Sequence, residues 1–119
     1  MLALVNDARA AAGLGALTLN QSLVGVAREH SSDMWARGFF SHVNPDGLDP
    51  FDRMKAAGIK FGWAGENLAI APTTGVAHGN LMDSPGHREN LLNPNFRQIG
   101  IGVAHHTELG LIFTQVFTD

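Results

Sequence analysis

Two apolar runs close this chain, and they constrain its fold more than any other feature. Ile99, Ile101 and Val103 alternate with Gly100 and Gly102, and Leu111 to Phe117 is rich in β-branched and aromatic residues. Both patterns have the period of a strand, and the short polar stretch from His105 to Gly110 predicts that they pair as an antiparallel hairpin. Everything before them reads mainly as helix. That order suits an α+β sandwich, since a doubly wound parallel sheet would alternate strand and helix throughout.

The helices carry their own start and stop signals. Leu2, Val5 and Arg9 are spaced for a first helix over residues 2–12, with Gly13 after it. Asn20 is placed to cap a second helix, whose Leu23, Val26, Ala27, His30 and Met34 form one stripe and which Gly38 ends. Asp49 and Pro50 open a short third helix that Gly58 closes. Thr73 or Thr74 caps a helix to about Asp83, and Ser84-Pro85 opens another through Leu92, ended by Asn93-Pro94. Between these, residues 59–63 and 66–70 read as two short strands.

A length of 119 residues fits one domain, residues 1–119, and its 45% hydrophobic content suffices for a core. Eight Lys and Arg against eleven Asp and Glu give a net charge of -3, which lacks the basic excess of a nucleic-acid binder. No apolar run approaches the roughly 20 residues of a membrane span, and the N-terminus lacks the order of a signal peptide. The chain has no cysteine. Disulfides, thiolate metal sites and cysteine nucleophiles are thereby excluded, and His and carboxylates remain as metal ligands.

Six histidines are present, and three polar segments draw attention. His42 follows Phe39-Phe40-Ser41 where the second helix gives way to loop, His87 lies in the first turn after Ser84-Pro85, and Glu66 sits in Gly65-Glu66-Asn67. Two imidazoles and a carboxylate are what a zinc site or an acid/base pair requires. Each also has a plainer reading: His42 as a cation at a helix C-terminus, His87 as an exposed first-turn residue, Glu66 as a solvated strand-end charge. His30, on the apolar stripe, is expected to be buried with one hydrogen bond. His78 is expected at the surface or a rim, and His105 and His106 exposed at the hairpin tip. Asn20-Gln21-Ser22 is read as a helix cap rather than a glycosylation site.

Taken in order, Asp33-Met34 through Phe39-Phe40-Ser41-His42, Gly65-Glu66-Asn67, Ser84-Pro85-Gly86-His87-Arg88 and Asn90-Leu91-Leu92-Asn93-Pro94 resemble the CAP superfamily. This is the SCP domain of cysteine-rich secretory proteins, antigen 5 and pathogenesis-related proteins. Leu4-Val5-Asn6-Asp7-Ala8-Arg9, with Gly13-Leu14 and Leu17, is similar to the family's first helix, and Gly100-Ile101-Gly102-Val103 with Phe113-Thr114-Gln115 to its closing hairpin. The cysteine-free wording is similar to the bacterial branch.

The resemblance implies a three-layer α-β-α sandwich with a central antiparallel sheet. It also implies a surface cavity of two His and two Glu, where in some members the histidines bind a divalent metal such as zinc. By motif, His42 and His87 are the histidine pair and Glu66 is one acid. Residues 73–82 contain neither Glu nor Asp, which leaves only Asp83 for the second, and Leu81 stands where a tryptophan is common. Two histidines under-coordinate zinc, so binding is expected to be weak and sensitive to protons near pH 6.5. Glu66 would orient a metal-bound water or take its proton, while Asn67 and Ser41 would supply supporting hydrogen bonds.

The function implied is a secreted binding module, monomeric, with a protein, peptide or small lipid as ligand and an extracellular or cell-envelope location. The signal sequence is expected outside this chain, as for a mature fragment or part of a longer protein. The alternatives are a hydrolase, either metal-assisted through His42, Glu66 and His87 or serine-type through Ser41 or Ser84, and a lipid- or sterol-binding domain. No nucleophile elbow favours the hydrolase. Phe39, Phe40, Phe51, Phe61 and Trp63 are expected to fill the core rather than line a lipid groove.

Overall fold

The computed structural model describes residues 1–119. Its elements run α1 (Leu2–Ala11), β1 (Thr18–Leu19), α2 (Gln21–Arg37), α3 (Pro50–Ala56), β2 (Ala64–Ala71), α4 (Thr74–Asp83), α5 (Pro85–Leu91), β3 (Gln98–His106) and β4 (Gly110–Thr118). The expected caps form: the Asn20 side chain accepts from the N–H groups of Ser22 and Leu23, and Asp49 makes a reciprocal capping box with Asp52.

The sheet has the order β1-β3-β4-β2. β3 and β4 form the expected antiparallel hairpin, and β2 pairs antiparallel with β4. Two details differ from the sequence reading. Residues 59–63 are not a strand; β2 is one continuous strand starting at Ala64, and the Asp119 carboxylate accepts from the N–H groups of Gly62 and Trp63 where a ladder partner would otherwise sit. The two-residue β1 is also new, and it makes the sheet mixed because it runs parallel to β3. Asn6 holds the chain there, donating to the Leu17 carbonyl and accepting from the Leu17 N–H.

Side-chain alternation along β4 separates two apolar layers. Phe113 and Phe117 face a cluster with Val5, Ala77, Leu81 and Leu91, which puts α1, α4 and α5 on one face. Val116 faces Leu23, Val26, Ala27 and Met54, which puts α2 and α3 on the other. The result is the three-layer α-β-α sandwich. Glycine at 100 and 102 makes it possible: a Cβ at these positions would lie 2.1 Å from Leu23 and 2.2 Å from Ala27 backbone, so α2 rests directly on β3. Ser31 ties the same contact, bonding to the Gly102 carbonyl and Thr114 Oγ1.

Arg9 is buried and has no carboxylate partner. It donates instead to the carbonyls of Gly15, Leu91, Asn93 and Phe96, fixing the loop after α5 against α1. Burial pulls its guanidinium below the ordinary value. The expectation that the aromatics fill the core holds for only part of the set. Phe39 and Phe61 pack against core clusters, whereas Phe40, Phe51 and Trp63 are exposed. No helix is long and apolar enough to cross a membrane.

Candidate functional site

The site is built around β2, one of the two edge strands. Because side chains alternate, Glu66 points toward the α2/α3 layer and Asn67 toward the α4/α5 layer. Gly65 before them has no room for a side chain, since a Cβ would lie 3.0 Å from Phe96 and 3.1 Å from Asn90.

On the first side, the Glu66 side chain is 1% exposed, and His42 Nδ1 lies 2.7 Å from its Oε1. Arg53 Nη1 and Nη2 donate to the same carboxylate at 3.3–3.4 Å, and Nη2 also donates to the His42 carbonyl. A carboxylate only accepts, so His42 carries a proton on Nδ1, and in the neutral ring the lone pair is then on Nε2. The His42 ring is half exposed. Arg53 offsets the buried charge, and burial pulls its guanidinium below the ordinary value while Glu66 acts in the opposite sense.

On the second side, His87 Nδ1 lies 2.8 Å from Ser84 Oγ. Ser84 does not cap α5 through its side chain, because its hydroxyl is turned to the imidazole. Asn67 donates to the His87 carbonyl and to Gln115, and Asn90 donates to Asn67 Oδ1 and the Glu66 carbonyl. These buried amides lock α5 to β2.

The structure therefore joins His42 to Glu66, and it anchors the His87 backbone to Asn67. No hydrogen bond or ion pair links His87 to Glu66. Ser41 is exposed; its hydroxyl accepts from Val43 N–H and its carbonyl meets His30 Nε2 at 2.8 Å. Asp83 is exposed at the end of α4, with no bond to the other candidates. His30 is buried with one hydrogen bond, as expected, and burial lowers its pKa. His105 is exposed, but His106 is half-buried and its Nδ1 accepts from Glu108 and Leu109 N–H, closing the hairpin turn.

Arg53 is the residue that sequence reasoning missed. The available signal was helical phase: it falls three residues after Pro50 and one before Met54, both buried, so an arginine shares the inward face of α3.

Does this chemistry fit a metal? No three His, Asp or Glu side chains gather in a group able to hold one. His42 and His87 each have their ring held at Nδ1 by a neighbouring oxygen, the chemistry usual for ligating histidines. Glu66 is bonded to both Arg53 and His42.

The family model for the cysteine-rich secretory protein family, CAP, matches residues 2–117. The chain is 42% identical over 115 residues to the uncharacterized protein YkwD of Bacillus subtilis, covering 96% of this chain and 44% of that protein. It is similar to a crystal structure of an extracellular protein containing a SCP domain from Bacillus anthracis, at TM-score 0.88 and 36% identity over 98% of this chain and 38% of the other. An outer surface protein of Borrelia burgdorferi shares the fold at TM-score 0.91 and 23% identity, covering 99% of this chain and 88% of that one. The chain thus spans less than half the length of both Bacillus proteins.

Proposed function

Because the chain belongs to the cysteine-rich secretory protein (CAP) family, we propose that it is an exported binding domain in which His42 and His87 hold a divalent metal, zinc by preference. The observation that carries this reading is that both imidazoles are engaged at Nδ1, by Glu66 and Ser84. A ring whose Nδ1–H donates to such an oxygen keeps Nε2 as its ligating nitrogen. Bound metal would supply a Lewis-acidic centre for a ligand's oxygen or nitrogen. Glu66 holds the His42 ring and its tautomer, and Arg53 donates to the same carboxylate. An extracellular setting is supported by the extracellular SCP-domain protein among the similar structures.

Two histidines give weak affinity. Calorimetric zinc titration at pH 7.5 is expected to show one site, lost in His42→Ala and in His87→Ala and kept when His105 and His106 are both replaced by Ala. Retention in either single variant would overturn the assignment.

One observation favours a second reading, a serine-type hydrolase. If Ser84 Oγ–H donates to His87 Nδ1, the pair is a nucleophile with its base at 2.8 Å. The direction of that proton separates the two functions, since donation by Ser84 puts the His87 proton on Nε2 and blocks ligation. Ester turnover abolished by Ser84→Ala would favour this reading, and zinc binding that survives the same change would favour the first.

A further inference from the structure

His42 belongs to no helix or strand; it lies in the connection between α2 and α3, residues 38–49. No regular hydrogen-bond ladder fixes it, so the placement of its imidazole depends on side-chain contacts. Two of these hold the backbone: His30 Nε2 meets the Ser41 carbonyl, and Arg53 Nη2 donates to the carbonyl of His42 itself. The ring is held separately, with Nδ1 2.7 Å from Glu66 Oε1.

The restraints on backbone and ring converge on one side chain. Arg53 Nη1 and Nη2 also donate to the Glu66 carboxylate at 3.3–3.4 Å, so guanidinium, carboxylate and His42 close a ring of hydrogen bonds that joins α3, β2 and the connection. The other two corners are anchored in regular structure. Glu66 stands opposite Val116 in the β2–β4 ladder, and Arg53 lies on a helix whose first turn is closed by the Asp49–Asp52 capping box. The Arg53 side chain is 11% exposed, which leaves water little access to compete for these bonds.

We propose that Arg53 is the positioning residue for the His42 imidazole, setting where the ring sits through the His42 carbonyl and how it is turned through Glu66. Its effect on a bound metal rests on the reading of His42 as a ligand. A guanidinium reaches both oxygens from one rigid planar fork, whereas a lysine ammonium is a point charge on a flexible stem. Charge compensation alone would ask only for a cation beside Glu66. Lysine at position 53 therefore separates the two roles.

The test compares the full chain with Arg53→Met, Arg53→Lys and Val5→Ala. Val5 is buried in the opposite layer, so its truncation lowers stability without touching the site. Three-bond NMR couplings of the metal-free proteins at pH 7.5 are expected to show one His42 χ1 rotamer in the wild type and in Val5→Ala, and averaging in both Arg53 variants. Calorimetric zinc titration is expected to show affinity about tenfold or more weaker in both Arg53 variants and unchanged in Val5→Ala. An averaged rotamer in the wild type, a single rotamer kept in Arg53→Met, wild-type zinc affinity in Arg53→Lys, or an equal loss in Val5→Ala would overturn the proposal. If the wild type binds no zinc, the metal reading fails by itself and the rotamer result alone decides the role of Arg53.

Discussion

Replacing Arg53 by methionine isolates what the buried Glu66 charge costs. The variant keeps the apolar stem packed beside Met54 but removes all three contacts to the carboxylate and the one to the His42 carbonyl. Glu66, 1% exposed, would then have only the His42 N–H. Breaking one partner of a buried pair costs about 3–5 kcal/mol, and contacts of 3.3–3.4 Å argue for the lower end. An unfolding entropy of roughly 2.1 cal/mol/K per residue converts about 3 kcal/mol into a fall in Tm of about 12 °C for a chain this long. Adding Glu66→Gln removes the stranded charge, and the amide oxygen still accepts from His42. The double variant should therefore melt well above Arg53→Met alone. The assay is thermal unfolding by circular dichroism at pH 7. A fall of less than about 4 °C in Arg53→Met, roughly 1 kcal/mol, would refute the argument. So would a double variant no more stable than the single one, because the damage would then be lost packing rather than an unpaired charge.

Two further outcomes follow from the same physics. Burial lowers the pKa of His30, with Arg53 acting in the same direction and Glu66, the Ser41 bond and Asp33 opposing it. Between that lowered value and about 6.5 the unfolded chain binds the extra proton, so stability rises with pH and is lost as pH falls below about 6.5. NMR titration of the His30 ring checks this, and a midpoint at or above the ordinary value would contradict it. Gly100→Ala would place its Cβ 2.1 Å from Leu23 backbone, a clash that no side-chain movement relieves, and should cost more than the ~1–3 kcal/mol of ordinary overpacking. Gly79→Ala, inside α4 with open space around it, should instead stabilise by about 0.4–1 kcal/mol. Urea unfolding of the pair measures both, and equal signs would be a failure.

The legible parts of this fold are those whose signals are local. Asn20, Asp49-Pro50 and Thr73 mark helix starts by chemistry that operates within three residues, and the hairpin carries its period on its surface. What was not legible depends on distant partners. β1 has two residues; Leu17 just before it is held by Asn6 eleven positions earlier, and β1 itself pairs with β3 some eighty positions later. Residues 59–63 carry a strand-like composition but find the Asp119 carboxylate instead of a ladder. Arg9 shares the helical spacing of Leu2 and Val5, but only the assembled loop after α5 supplies the carbonyls that accept from it alongside that of Gly15.

The site was half legible for the same reason. Motif order picked out His42, Glu66, Asn67 and His87, yet no spacing in the sequence says which of them touch. Strand alternation decides that. Adjacent residues on β2 must face opposite layers, so Glu66 serves the ring of His42 while Asn67 serves the backbone of His87. Asn90 bonds to both residues and joins the two halves. The short Glu-Asn pair thereby fixes two histidines that arrive from different helical layers at one sheet edge. Asp83 has no counterpart to Asn90 or Arg53 in this scheme, being exposed and unbonded to the others. The one buried carboxylate of the site is thus bonded to both Arg53 and His42, and the two imidazoles are its other titratable groups.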